Sequence, residues 1–293
     1  MLDKQIIQSD DVTSNDVQLD FDQLDHKSQI LLMLDRGVQH PHSSCHPLFK
    51  QAFFITVTNE QGKRQSVIDV RLTLALLKKA KNLVRSTLAN GGHALFVGSK
   101  PGISELIKAA AARSGQYWAA ERWVGGTLTN FSSTVEQRMQ KSVQLIEDSA
   151  DKETFTKDER NLFTKEHKRT AKFISGFVEN EHRAQIRGLP KLVIIVDPVA
   201  EKVAIDEVIA CRKRQSNISM IVFGDCCNMD FNPRCLDPTK DILVPGNDDT
   251  DTSVEVFTHV LANEILAVTD KRKIVGASLE SQMLEERSED ESN

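Results

Sequence analysis

Short apolar runs alternate along the chain with longer stretches in which apolar residues recur at helical spacing. The run 192–196 is apolar throughout, which is typical of a strand in a parallel sheet covered on both faces. Similar short runs predict three further strands, at 94–97, 218–223 and 242–244. Stripes of helical periodicity lie at 72–87, 103–111, 204–209 and 254–268. This alternation predicts a three-layer α/β fold around a parallel sheet.

Two parts of the chain depart from the alternation. Residues 53–57 and 67–68 predict a β-hairpin around a turn at Gly62. Charged residues and two apolar stripes predict an antiparallel helical hairpin inserted at 132–187. Four parts are therefore expected. They are an acidic extension at 1–26, a discontinuous α/β domain at 27–131 and 188–275, the inserted hairpin at 132–187 and an acidic tail at 276–293. The polar composition of the two end segments predicts disorder, or order only on binding.

The formal net charge is −5, but the charges are distributed unevenly along the chain. Residues 1–26 hold seven Asp and one Lys, and residues 278–293 hold six acidic residues and one Arg. By contrast, residues 27–130 hold 14 Lys and Arg against 5 Asp and Glu. A basic sector is the electrostatic footprint of a nucleic-acid partner, although a solvated surface has the same composition.

Residues 122–131, called the 122–131 loop below, read RWVGGTLTNF and fit neither a helical nor a strand period. The adjacent Gly125 and Gly126 permit backbone angles that other residues avoid, and they let another backbone approach closely. Thr127, Thr129 and Asn130 add hydrogen-bonding side chains, and Asn or Thr can cap a following helix. This composition is not that of an ordinary connecting loop.

The 122–131 loop resembles the R-W-L-G-G-T-L-T-N-F signature of the bacterial and organellar small-subunit ribosomal protein S2 family. Three more segments are similar to motifs of that family in the same order: G-V-Q-H-P-H at 37–42, L-F-V-G-S-K at 95–100 and P-G-N-D-D at 245–249. The resemblance spans about residues 27–270. The family has G-V-H-F-G-H at the first motif, so Gln39, His40 and Pro41 depart from it and only His42 carries over.

The resemblance implies a flavodoxin-like α/β domain with a coiled-coil protrusion. It also implies a structural protein, not an enzyme, that needs no cofactor and binds small-subunit rRNA and neighbouring ribosomal proteins. In bacteria the family helps to seat the large mRNA-binding protein of the subunit, which would connect the chain to mRNA indirectly. Trp123 would stack on a base or lie in the core. The residues expected to contact RNA are Arg122, Trp123, Gly125, Gly126, Thr127, Asn130, Lys63, Arg64, Lys100, Arg113 and His42.

A second hypothesis is an α/β enzyme that binds a phosphorylated ligand at the loop from Gly98 to Gly102. The helix that follows presents free N–H groups and the positive end of its dipole. Asp197, at the end of a strand, would then act as acid or base. The loop has neither a G-x-G-x-x-G nor a P-loop pattern, and a tight turn between strand and helix also explains it. Because this hypothesis leaves the 122–131 loop unexplained, the RNA-binding hypothesis is preferred.

Two clusters offer metal-ligand chemistry. One contains His40, His42, Cys45 and His46, which could bind zinc through nitrogen and sulfur. The other is the pair at 248–249, whose carboxylates could bind magnesium or act in acid–base catalysis. A hydrogen-bonding loop explains the first cluster. The start of the last helix explains the second, because carboxylates are favoured at a helix N-terminus. We predict neither a metal site nor a catalytic group.

Composition also bears on location. Five cysteines without a C-x-x-C pair suit a reducing compartment. No apolar run reaches the roughly 18 residues of a membrane helix, so we predict no membrane partner, and no Arg-rich presequence is visible. The acidic end segments and a loop at 225–240 that is longer than in the compact family version indicate an organellar ribosome. We predict the mitochondrial matrix, with the bacterial cytoplasm or a plastid as alternatives.

Overall fold

The computed structural model describes residues 21–41, 53–58, 62–150, 154–177, 188–214, 216–225 and 233–290. An antiparallel hairpin of β1 (Phe54–Thr58) and β2 (Arg64–Ile68) forms a small sheet of its own. The main sheet has five parallel strands, which are β3 (Ala94–Val97), β4 (Tyr117–Ala119), β5 (Leu192–Val196), β6 (Ser219–Gly224) and β7 (Ile242–Pro245).

The strands of the main sheet lie side by side in the order β4-β3-β5-β6-β7. Counted along the chain, this is the order 2-1-3-4-5 of flavodoxin-like folds. The predicted parallel α/β fold is therefore confirmed. The sequence analysis did not predict β4, because a strand of three residues is too short to establish a period of two.

Two hydrophobic cores cover the two faces of the main sheet, because successive residues of a strand point to opposite sides. In β5, Leu192, Ile194 and Val196 belong to the first core, whereas Val193 and Ile195 belong to the second. The whole strand is buried, which explains its uninterrupted apolar sequence. The second core also contains side chains from the 122–131 loop, so that loop is anchored on one face of the sheet.

Helices cover both faces. The first core is covered by α1 (His26–Asp35), α2 (Val70–Ala89), α3 (Ile103–Ser114) and α7 (Asp251–Asp290). Helix α6 (Lys202–Lys213) covers the second core. Asp69 caps α2 by accepting a hydrogen bond from the backbone N of Arg71 at 3.1 Å.

The segment after the 122–131 loop contains a short π-helix, Ser132–Glu136, and then α4 (Gln137–Ala150) and α5 (Lys157–Ile174). The two α-helices pack along each other in antiparallel fashion. A hydrogen bond of 2.8 Å joins Ser142 Oγ to His167 Nδ1 across the pair, and Lys141 lies 3.6 Å from Glu166. Phe177, just beyond α5, packs in the second core and connects the pair to the main sheet.

Both ends of the described chain are more ordered than their acidic composition predicts. Phe21 is buried in the first core, and its carbonyl accepts a hydrogen bond from Gln29 Nε2 at 2.9 Å. Helix α7 continues to Asp290 through residues expected to be disordered, because Leu, Met and Glu in this segment have high helix propensity. Among the described residues, no helix is both long enough and apolar enough to cross a membrane.

Candidate functional site

A single buried carboxylate holds the 122–131 loop in place. Glu207, on α6, is 7% exposed and accepts four hydrogen bonds from the loop. The donors are Trp123 Nε1 at 2.7 Å, the backbone N of Leu128 at 2.9 Å, and the backbone N and Oγ1 of Thr129 at 2.9 and 2.8 Å. An ionised acceptor makes stronger hydrogen bonds than a neutral one, so Glu207 fixes the loop firmly on α6.

The two glycines of the loop have different structural roles. Gly126 has a φ of +89°, and a Cβ placed on it would lie 2.9 Å from Thr134 Oγ1. The left-handed backbone at this position therefore requires glycine. Gly125 has no positive φ, and a Cβ placed on it would meet no atom within 4 Å. The structure consequently leaves open space beside Gly125, and nothing within the described chain explains why it is glycine.

The loop separates its residues into an inward and an outward set. Thr127 is buried, with its Oγ1 donating to Val124 O at 2.5 Å, and the partly buried Trp123 packs against the second core. Arg122, Gly125 and Asn130 are exposed. Arg122 makes no hydrogen bond or ion pair with the part of the chain that the structure describes. Of the predicted RNA contacts in this loop, Trp123 and Thr127 therefore hold the loop together, and Arg122 and Asn130 face solvent.

The other cations predicted to contact RNA are spread over the molecule. Lys63 and Arg64 are exposed on the β1–β2 hairpin. Lys100 follows β3 and forms an ion pair with Asp249. Burial lowers the pKa of Lys100, but the hydrogen bond to Asp249 and the charges of Asp249, Asp197 and Asp248 together outweigh burial and raise it. Arg113 donates to His259 O at 3.3 Å, and partial burial lowers its pKa. His42 lies outside the described residues.

The topology places Lys100 and Arg122 at the same end of the main sheet and Arg113 toward the other end. Val97 and Ala119 are paired at the carboxyl ends of the adjacent strands β3 and β4, and Lys100 and Arg122 each come three residues later. Arg113 lies at the opposite end of α3, about 15–18 Å along the helix axis from its start. The predicted cations therefore do not form one continuous patch.

Flavodoxin-like folds usually bind ligands at the carboxyl edge of their sheet. In this protein that edge contains a group of acidic side chains. Asp248 is 4% exposed, and its Oδ1 is buried without a hydrogen-bond partner. Burial, followed by the nearby carboxylates of Asp225, Asp197 and Asp249, raises the pKa of Asp248 to about 8, and Lys100 opposes this shift. The sequence analysis placed the 248–249 pair at the start of the last helix, whereas the structure buries Asp248 just before α7, which begins at Asp251.

The loop that could have bound a phosphate is occupied by the protein itself. Ser99 donates from its backbone N and Oγ to Glu201 Oε1, at 2.7 and 2.5 Å. Burial raises the pKa of Glu201, although the hydrogen bonds from Ser99 oppose that shift. Asp197 has a φ of +62°, and its Oδ1 accepts from the backbone N of Val199 and Ala200, both at 3.1 Å. Carboxylates in these positions repel a phosphate rather than bind it.

Two motifs that are distant in the sequence meet in the structure. In the 245–249 motif, the backbone N of Asn247 donates to Val38 O at 3.1 Å, and its Nδ2 donates to Gly37 O at 3.3 Å. Its Oδ1 accepts from the backbone N of Asp249 at 2.9 Å. Asn247 thus joins the 37–42 motif to the start of α7. In the described ranges, no three His, Cys, Asp or Glu side chains are placed to hold a metal ion.

The sequence analysis missed two residues at this site. Glu207 lies between the buried Ile205 and Val208, and a Glu at such a position must find hydrogen-bond donors, so this placement was an available signal. Arg214, just after α6, donates from Nη1 to Thr129 O at 3.2 Å and is exposed beside the loop. Nothing in the local sequence pattern connects Arg214 to residue 129.

Comparison with known families agrees with these motifs. The family model described as ribosomal protein S2 matches residues 33–267, which include the 122–131 loop and the five parallel strands. The match covers well over half of the 293 residues. It supports a structural role in the small ribosomal subunit.

Proposed function

Because the chain belongs to the ribosomal protein S2 family, we propose that it binds small-subunit rRNA and neighbouring ribosomal proteins as a structural component of the ribosome. The outward side of the 122–131 loop carries the RNA contact. Arg122 is exposed there and has no partner in the described chain, so its guanidinium is available for a phosphate. The open space beside Gly125 lets an RNA backbone come close.

The other predicted residues divide into contacts and supports. Asn130 extends the contact from Arg122, and Lys63 with Arg64 forms a second contact on the hairpin. Lys100 is a weaker candidate because it is paired with Asp249 beside other carboxylates. Gly126, Trp123 and Thr127 support the loop from within, as their conformation and hydrogen bonds favour. Arg113 is a weaker candidate because it donates to His259 O. For His42, the resemblance to the family motif is the support.

The enzyme hypothesis receives no support from the site geometry. Ser99 already donates to Glu201, and the carboxylates of Asp197 and Asp225 lie at the same end of the sheet. A phosphorylated ligand at the 98–102 loop would meet this negative charge. We therefore retain a structural, non-enzymatic function without a cofactor. Any connection to mRNA is indirect, through neighbouring proteins.

We propose the mitochondrial ribosome as the location, with a bacterial or plastid ribosome as the alternative. The support is the acidic composition of 1–26 and 278–293, because such segments repel phosphates and suit contacts with proteins. Fractionation of the source cells tests the location: recovery with mitochondrial small subunits is expected. Recovery with plastid or cytoplasmic ribosomes alone would contradict it.

The RNA contact is tested by rebinding. Small subunits are washed in high salt until they lack the chain, and purified protein is rebound over a series of salt concentrations. Arg122→Ala should weaken rebinding by about tenfold. It should also reduce the slope of log K against log salt by about one.

The matched control for Arg122 is Lys78→Ala, which removes an exposed cation on α2, over the other face of the sheet. This variant should rebind like the wild type. If Arg122→Ala also rebinds with wild-type affinity and salt slope, then Arg122 does not contact RNA.

A further inference from the structure

We infer that Glu207 is the positioning residue of the RNA-binding surface, and this inference rests on the proposed function. Its carboxylate accepts four hydrogen bonds from the 122–131 loop and none of its own helix's backbone groups competes for them. Three of the donors are the side chain of Trp123, the side chain of Thr129 and the backbone N of Thr129. The fourth is the backbone N of Leu128. Glu207 thus sets the position of both halves of the loop.

The outward residues each adjoin a residue that Glu207 holds. Arg122 precedes Trp123, whose Nε1 donates to Glu207 Oε2 at 2.7 Å. Asn130 follows Thr129, which donates twice to Glu207 Oε1. The two oxygens of one carboxylate therefore fix the points from which the two outward side chains extend. Between these points lie the two glycines, which add no side-chain packing of their own.

A fixed loop binds better than a mobile one, because the cost of ordering it is met on folding rather than on binding. Glycine pairs raise that cost, since glycine has more conformational freedom than other residues. Arg214 supplies a second constraint from the same helix, with its Nη1 at 3.2 Å from Thr129 O. Arg214 is otherwise exposed, so the residue that follows α6 adds a further cation to the edge of the proposed RNA surface.

The test uses the full chain and the salt-washed small subunits described above. Glu207→Gln keeps the size of the side chain but replaces one acceptor oxygen with a donor NH2. The hydrogen bond from Trp123 is lost if the NH2 takes the place of Oε2, and the three from Leu128 and Thr129 are affected if it takes the place of Oε1. Rebinding should weaken by about tenfold, and Glu207→Ala should weaken it further. Ile221→Val removes a buried methyl group from the first core and serves as a control that destabilises the fold without touching the loop.

Three readouts separate positioning from a general loss of stability. The salt slope of rebinding should fall by about one for Glu207→Gln and stay unchanged for Ile221→Val, because only the former displaces Arg122. The double variant, Glu207→Gln with Arg122→Ala, should lose clearly less binding free energy than the sum of the losses of the two single variants. The melting temperature of each variant, measured in parallel, confirms that it is folded.

Each outcome decides something. If the wild-type protein itself fails to rebind, the proposed function is wrong and the inference fails with it. If the wild type rebinds and Glu207→Gln matches it in affinity and salt slope, the proposed function stands and the positioning role is wrong. Strictly additive losses in the double variant would likewise show that Glu207 does not act through Arg122.

Discussion

The stability of the fold should fall as pH rises through neutrality because of one buried carboxyl group. Asp248 is 4% exposed, and burial together with the carboxylates of Asp225, Asp197 and Asp249 raises its pKa from 3.8 to about 8. The perturbation is Asp248→Asn, which keeps the shape of the side chain and removes its charge. Lys100 faces the same group and only partly offsets the repulsion.

The sign follows from proton binding. Between pH 3.8 and about 8 the folded protein keeps a proton on Asp248 that the unfolded chain has lost, so unfolding becomes easier as pH rises. One such proton changes the free energy of unfolding by about 1.4 kcal/mol per pH unit. From pH 5 to pH 8 the wild type should therefore lose about 4 kcal/mol relative to Asp248→Asn. The two proteins should differ little only below about pH 3.8, where the carboxyl group is neutral in both the folded and the unfolded state.

The assay is urea denaturation of both proteins at half-unit steps from pH 5 to pH 8, with the free energies of unfolding compared at each pH. Taking the difference between variants removes the contributions of groups that titrate alike in both. Asp249→Asn is the matched control, because it removes the adjacent carboxylate, whose side chain is 39% exposed, and leaves Asp248 in place. It should retain most of the pH slope. A difference between wild type and Asp248→Asn that does not change with pH would refute this reasoning.

Three further predictions concern the loop and the core. Gly126→Ala should cost about 1–3 kcal/mol in urea denaturation because its φ is +89°, whereas Gly125→Ala should change stability by less than about 0.5 kcal/mol. Gly125→Ala should nevertheless rebind salt-washed subunits more weakly than the wild type. Unchanged rebinding would mean that no RNA backbone lies close to Gly125. Asp241→Ala should cost about 3–5 kcal/mol, because it leaves the largely buried Arg212 without its carboxylate. Phe257→Ala should cost about 3–5 kcal/mol by removing a ring stacked 4.4 Å from Phe223, and a loss below 1 kcal/mol in the same assay would contradict either core estimate.

The sequence predicted those parts of the fold whose periodicity is set by burial. Strand β5 is buried on both faces and was recognised from its uninterrupted apolar run. Phe21 was assigned to a disordered or binding-ordered extension because its neighbours are acidic, yet its ring is buried in the first core and its carbonyl accepts from Gln29. Composition averaged over a segment does not report the burial of a single side chain.

The sequence pointed to the 122–131 loop as a candidate site, but it did not predict how the loop is arranged internally. Arg122 and Asn130 emerged from the motif and are exposed, as an RNA contact requires. Trp123 and Thr127 came from the same motif and support the loop from within, because a linear pattern does not distinguish inward from outward side chains. Glu207 is 84 positions from Trp123, so only the folded chain brings the two together.

The electrostatic environment at the carboxyl edge of the sheet also depends on the tertiary fold. Asp197, Asp225 and Asp248 follow three different strands, and the order of those strands sets their proximity. In the sequence, Asp248 and Asp249 fit the start of a helix. The unpartnered Oδ1 of Asp248 and its raised pKa result from burial, which local sequence does not specify.

The measurement that tests the central claim most directly is sedimentation of a native lysate on a sucrose gradient at moderate magnesium concentration, with this chain detected in each fraction. Membership of the ribosomal protein S2 family predicts that the chain sediments with the small ribosomal subunit and leaves it after RNase or high-salt treatment. Sedimentation near the 32.8 kDa of the free chain, without associated rRNA, would contradict a role in the small subunit.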